Sequence, residues 1–264
     1  MPGVIKDLLR YIHIFFLQLR SSCKKQIKVE GKCLFIAPHP DDESIGCGGL
    51  ISHLCAKGLA PHVIIMTGGG GSINGEEGVK SDIHKITRGD IIRERRKLTL
   101  KSAKELGLPE ENIHFLDFID GHISERPEKE LNRLNELIND IAPDYIFVPH
   151  SGEGWPDHIE TREIVLSQFS NKENLSNKFP DSQKIAPQLF EYCVWMWYYN
   201  VWKLDWKNAF KFRMSKSEHE AKLRAVDAYI KPLAPNGKPW SGALPKPFIK
   251  ANTYNLELYF KITT

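Results

Sequence analysis

The chain has 264 residues, 41% of them hydrophobic and 26% charged, with a net charge of +3. That supplies a full core for one globular domain and excludes a disordered or fibrous chain. No Lys/Arg cluster alternates with aromatics, so no nucleic-acid partner is expected; five scattered cysteines without a C-x-x-C pair point to reduced thiols in a cytoplasmic protein.

Val4 to Leu19 is rich in Leu, Ile and Phe, but Lys6, Asp7, Arg10 and His13 interrupt it. It is too short and too charged to span a bilayer. It reads as an amphipathic helix over residues 1–25, set before a domain over residues 26–264. The favoured reading packs this helix on the domain or on a partner subunit. The sharper reading, suggested by flanking Lys6, Arg10, Arg20, Lys24 and Lys25, is peripheral contact of residues 4–19 with the inner surface of a membrane.

Lys32–Ala37 reads as a strand and Ile45–Lys57 as a helix, with Gly46, Gly48 and Gly49 allowing close approach to a sheet. His62–Thr67 is a second strand, followed by a Gly-rich polar loop over residues 68–88. Asp90–Leu106 is a helix that Gly107 stops. Asn112–Phe118, Glu128–Ile141 and Tyr145–Val148 continue as strand, helix, strand, and helical spacing resumes from His158 to Phe169. A polar loop over 171–187 precedes a strand at Leu189–Trp195 and an aromatic stretch, Trp195 to Trp206, suited to core packing or to a cleft wall. Ser217–Ile230 is a helix, and 231–248, rich in proline, is irregular. This alternation predicts an α/β, Rossmann-like fold: a mainly parallel sheet with helices on both faces.

The first strand ends in Pro38-His39-Pro40-Asp41-Asp42-Glu43. One imidazole and three carboxylates thus fall at the carboxyl end of a buried strand, where open α/β sheets place their sites. His39 with one Asp can hold a metal and leave another carboxylate free as a general base. A turn followed by a helix cap needs only one such residue. The fourth strand ends in His150-Ser151-Gly152-Glu153-Gly154-Trp155-Pro156-Asp157-His158, on the same edge of a parallel sheet. Either His150 or His158 can complete the site, with His158 preferred because it opens the following helix. Asp157 is placed to orient a ligand imidazole. Two nitrogens and one carboxylate oxygen suit zinc with an open position for water.

These two motifs resemble the PIG-L/LmbE-like zinc de-N-acetylases, which include N-acetylglucosaminyl-phosphatidylinositol deacetylases and the deacetylases of the mycothiol and bacillithiol pathways. The resemblance covers roughly residues 32–170. It implies Zn²⁺ held by His39, Asp42 and His158, with Asp41 as general base. It implies that Arg95 contacts the substrate, that Asp120-Gly121 is a loop pair beside it, and that Thr67-Gly68-Gly69 lies at the rim near the sugar. The implied substrate is a small amino-sugar conjugate. Three positions depart from the family pattern. Trp155 stands where a histidine usually assists the oxyanion, Leu98 where a glutamate follows the arginine, and Gly68 where an acid follows the second strand. Either His150 or Glu153 compensates near the substrate or the acceptor differs, with Trp155 stacking on the sugar.

The leading expectation is therefore a zinc-dependent hydrolase that removes an N-acetyl group from an N-acetylglucosamine-type sugar. The alternatives are a hydrolase of another amide or acyl bond, and a sugar-binding paralogue that keeps the metal without turnover. A nucleotide-binding reading of Gly68–Gly71 is weak, because no spaced G-x-G-x-x-G opens a helix.

Overall fold

The structure is a computed structural model that describes residues 2–71, 86–169, 186–198 and 204–263. Most of the Gly-rich loop, most of the polar loop after Phe169, and Tyr199 and Trp202 of the aromatic stretch lie outside the described residues. In chain order the elements are α1 (Pro2–Ser22), β1 (Lys25–Gln26), β2 (Cys33–Ala37), α2 (Asp42–Ala56), β3 (His62–Thr67), α3 (Arg88–Leu106), β4 (Ile113–Phe118) and α4 (Glu128–Ile141). They continue as β5 (Tyr145–Pro149), α5 (Pro156–Ser167), β6 (Gln188–Tyr192), β7 (Ala209–Arg213), α6 (Lys216–Ile230), α7 (Lys246–Asn252) and β8 (Leu256–Lys261).

The strands form one eight-stranded sheet in the order β1-β7-β8-β6-β5-β2-β3-β4. From β6 to β4 every pairing is parallel. The chain runs outward from β2 to β3 and β4, then returns to pair β5 on the other side of β2. The reversal between β2 and β5 opens a crevice at their carboxyl ends, where α/β sheets bind ligands.

Strand periodicity sends the side chains to two cores. Cys33, Phe35 and Ala37 join α2, α3, α6 and α7 on one face. Leu34 and Ile36 join α4 and α5 on the other. All five β2 side chains are buried, as continuous apolar runs require when both faces are covered. The expected doubly covered, mainly parallel sheet is what the chain forms. Gly46 earns its place in α2: a Cβ there would stand 2.5 Å from the Tyr192 ring.

Several elements differ from the sequence reading. β6 ends at Tyr192 rather than Trp195, because the backbone N–H groups of Val194 and Trp195 donate to the Glu153 carboxylate at 2.7 and 2.5 Å instead of to a strand. β7 and β8 form an antiparallel flank that no sequence pattern marks. The proline-rich stretch yields α7, with Pro247 in its first turn, where the missing N–H costs no helical bond. Helix α1 docks on the domain, as favoured, through Ile14 and Leu17.

Candidate active site

Asp41 caps the start of α2 in a conformation that a non-glycine residue rarely takes, φ 121° and ψ −30°. Its surroundings hold it there. Its N–H donates to Glu43 Oε2 at 3.0 Å, and its carbonyl accepts from Ile45 N at 2.8 Å. Arg95, buried in α3, donates from Nη2 to Asp41 Oδ2 at 3.0 Å and to the Pro40 carbonyl, and from Nη1 to the Gly69 carbonyl at 3.0 Å. Gly69 must be glycine: its φ is +64°, and a Cβ would meet Arg95 Nη1 at 2.1 Å. Burial pushes the Asp41 carboxyl upward, and the Arg95 guanidinium opposes that only in part.

His39, Asp42 and His158 converge. Asp42 Oδ2 lies 3.3 Å from His39 Nδ1 and 3.4 Å from His158 Nε2, and one ligand atom from each of the three residues falls within 4.8 Å of the others. The donor set fits a divalent metal: two imidazoles and one carboxylate at the floor of an open cleft. The nitrogens turned away from Asp42 support that fit. His39 Nε2 is 3.1 Å from Asp157 Oδ2 and 3.2 Å from Asp120 Oδ1, so its proton sits on that side and Nδ1 is left to ligate. Among the described residues His158 Nδ1 has no hydrogen bond, with Glu153 Oε2 3.6 Å away. A second acidic grouping, His39 with Asp120 and Asp157, surrounds that same outer nitrogen.

The electrostatics separate the two imidazoles. Burial opposes charge on His39, yet Asp120, Asp157 and Asp42 outweigh it and hold its pKa well above the ordinary value. Burial pushes His158 down to about 4, against the pull of Asp42, so this ring is neutral at pH 7. Glu153 is raised to about 8 by burial, although the N–H groups of Val194, Trp195 and Met196 all point at it.

These groups line one cavity of about 740 Å³. Trp155 flanks it, 44% exposed, and tilts against Trp195 at 5.4 Å; Trp195 in turn rests on Phe248 at 4.1 Å. Arg88, Gly70 and Gly71 also line it. Of the residues singled out in the sequence, the cavity brings together His39, Asp41, Asp42, Arg95, Asp120, Trp155, Asp157 and His158. Arg95 is engaged by the protein, 3% exposed. Asp120 faces His39 and accepts from Gly71 N at 2.6 Å.

His150 is not at the cavity. Its Nδ1 accepts from Gly152 N at 2.9 Å, its Nε2 lies 3.4 Å from Glu191, and its ring packs edge-on against Phe260 of β8. The antiparallel flank, invisible in the sequence reading, creates that niche. Gly68 cannot carry the expected acid: a Cβ there would approach Ile92 at 2.7 Å. Two residues were missed as contributors. The sequence suggests Glu153 only as a substitute at the substrate, whereas it lies fully buried behind His158. Ser241, in the irregular stretch, lines the cavity with a buried hydroxyl that has no hydrogen-bond partner among the described residues. No spacing signal marks Ser241; only the fold brings it there.

The chain is similar to several known proteins. The family model described as "PIG-L: GlcNAc-PI de-N-acetylase" matches residues 34–169. The 1D-myo-inositol 2-acetamido-2-deoxy-alpha-D-glucopyranoside deacetylase of Saccharomonospora viridis is 27% identical over 170 residues, 55% of this chain and 60% of that protein. The diacetylchitobiose deacetylase of Thermococcus kodakarensis is 30% identical over 131 residues, 48% of this chain and 45% of that protein. The chain thus spans about half the length of the curated relatives it matches. The solved N,N'-diacetylchitobiose deacetylase from Pyrococcus horikoshii shares the fold, with a TM-score of 0.58 and 24% identity over 89% of this chain and 81% of that one.

Proposed function

The chain belongs to the PIG-L family, whose deacetylases are metal-dependent, and from that premise we propose that it is a zinc-dependent hydrolase removing the N-acetyl group from an N-acetylglucosamine-type sugar or sugar conjugate. The observation that carries the reading is the convergence of His39, Asp42 and His158 beside the Asp41 carboxyl group in one cleft. His39, Asp42 and His158 would hold the ion. When bound, zinc supplies Lewis acidity that activates water and polarises an acetamide oxygen.

The chain's own residues supply the rest. Asp41 takes a proton from the attacking water as the new C–O bond forms at the acetamide carbon. It returns that proton to the sugar nitrogen as the C–N bond breaks, leaving acetate and a free amine. Arg95 fixes the orientation of Asp41 through its 3.0 Å contact. Asp157 and Asp120 fix His39, and Glu153 faces the outer nitrogen of His158. Trp155 and Trp195 offer aromatic surface for a sugar face, and Ser241 offers a hydroxyl to a sugar oxygen. The five cysteines are all free, which suits a reducing, cytoplasmic setting. The 26–264 stretch is read as the deacetylase domain, with residues 1–25 as its appended helix.

The test is acetate release by the zinc-loaded protein from N-acetylglucosamine, diacetylchitobiose and an N-acetylglucosaminyl inositol, with metal content measured in parallel. Release from at least one sugar, abolished by chelator and restored by zinc, is expected. Stoichiometric zinc with no release from any of them would overturn the reading in favour of another acyl substrate or a binding role.

A further inference from the structure

Helix α1 has two apolar faces, and the domain covers only one. Ile14 and Leu17 are buried against Ala251, Leu258 and Phe260. On the other side Leu8, Leu9, Ile12, Phe15, Phe16 and Leu19 are each 46–61% exposed, and Ile5 extends the row at 60%. Their spacing of three and four residues is that of a single helical stripe, about 21 Å long. Single exposed apolar residues are ordinary; a contiguous row of seven is an interaction surface.

Charge identifies what the surface meets. Between residues 2 and 29 there are six Lys or Arg and one Asp. Lys6, Arg20, Lys25 and Lys28 are exposed. The positive charge at the end of the helix is held in place: the Arg20 guanidinium lies 4.2 Å over the Trp206 ring, and Lys24 Nζ donates to the Trp206 carbonyl at 2.7 Å. No described helix is long and apolar enough to cross a membrane.

We propose that the outer face of α1 seats on an anionic lipid bilayer, with the helix lying in the interface and its apolar row at the boundary of the acyl chains. A second copy of the chain is the weaker occupant. Two helices meeting along 21 Å bury less than the roughly 1,200–2,000 Å² of a stable interface. Pairing would also bring two basic margins together. The seat adjoins the cleft wall, since Gln18 Nε2 donates to Ala251 O of α7 at 3.4 Å and Phe248 of α7 lines the cavity.

Flotation of the full chain with vesicles decides the matter, using phosphatidylcholine alone and phosphatidylcholine mixed with phosphatidylglycerol. Flotation with the mixed vesicles only, weakening as salt rises, is expected. F15E/F16E should abolish it while leaving the melting temperature unchanged, because both side chains are exposed. K6E/K28E should weaken it by on the order of tenfold. No flotation with either vesicle would overturn the proposal, and equal flotation with both would overturn the anionic assignment. Analytical ultracentrifugation covers the other occupant: a dimer that F15E/F16E dissociates, with no flotation, makes this face a contact between copies.

Discussion

Asp157 Oδ2 lies 3.1 Å from His39 Nε2 and also accepts the Gly121 N–H at 2.7 Å. One carboxylate thus turns the ring of His39 and pins the loop that carries Asp120. Removing such a partner of a metal-facing imidazole typically costs 10- to 100-fold in metal affinity. Asp157→Ala is expected to weaken zinc binding by that order, less than His39→Ala, Asp42→Ala or His158→Ala, each of which removes a donor. Competition with a chromophoric chelator measures all four.

Asp41→Asn should keep both zinc and fold but lose about 10²–10⁴-fold in turnover, the usual worth of a positioned general base. Metal content and single-turnover acetate release check it. Turnover within a few-fold of the parent would remove Asp41 from the reaction.

Arg95 offers a different signature. It and Asp41 form a buried pair, and breaking such a pair from one side costs about 3–5 kcal/mol. Arg95→Ala should lower both the melting temperature and kcat, with KM changed little, because the guanidinium serves Asp41, Pro40 and Gly69 rather than open cavity. A rise in KM at unchanged kcat would assign the side chain to the substrate instead.

The cleft wall should act on binding. Trp155→Ala is expected to raise KM roughly 2- to 10-fold, in line with about 0.5–1.5 kcal/mol for an aromatic contact. Ser241→Ala, which removes a hydroxyl without a partner among the described residues, should raise KM without destabilising the fold. Trp155→His should raise turnover on simple sugars if oxyanion assistance is what the indole lacks. Steady-state kinetics on one- and two-ring substrates separate these effects.

Far from the cleft, Ser215 and Glu218 form a reciprocal cap at the start of α6, and Glu218 also meets His53 Nδ1 at 2.6 Å. Ser215→Ala should cost about 1 kcal/mol of stability. Burial works against the Glu218 charge, but the Ser215 N–H and His53 hold its pKa below the ordinary value. A carboxyl depressed by folding stabilises the protein above its unfolded pKa, and that contribution fades as pH falls through the folded value. Glu218→Gln should therefore flatten the acid limb of a melting-temperature-against-pH curve and leave the deacetylase reaction untouched.

The parallel half of the sheet was legible because its central strands β2, β3 and β5 are near-continuous apolar runs and α3 carries its own stop. Glu128–Ile141 reads directly from spacing, and Gly107 ends α3 in the left-handed conformation, as expected of such a glycine. The antiparallel flank was not legible. Phe210 and Lys211 alternate weakly, and the burial of Glu257 depends on Lys222 of α6, whose Nζ approaches it at 2.7 Å. The same division holds at the site. His39, Asp41, Asp42 and His158 follow strands and announce themselves. Glu153 and Ser241 matter only through what the fold sets beside them, and His150 misleads because its niche is built by β8.

His39 and Asp157 are separated by 118 residues, so the two halves of the site meet only when β5 docks beside β2. No stretch of chain that stops short of α5 contains a competent centre. On the ribosome, the first half must persist with its polar cluster open until the second emerges. An ion held by His39, Asp42 and His158 would bridge the two halves and stabilise the native state by mass action. With the ion proposed above, metal present during refolding would raise the yield of native chain, and not merely its activity.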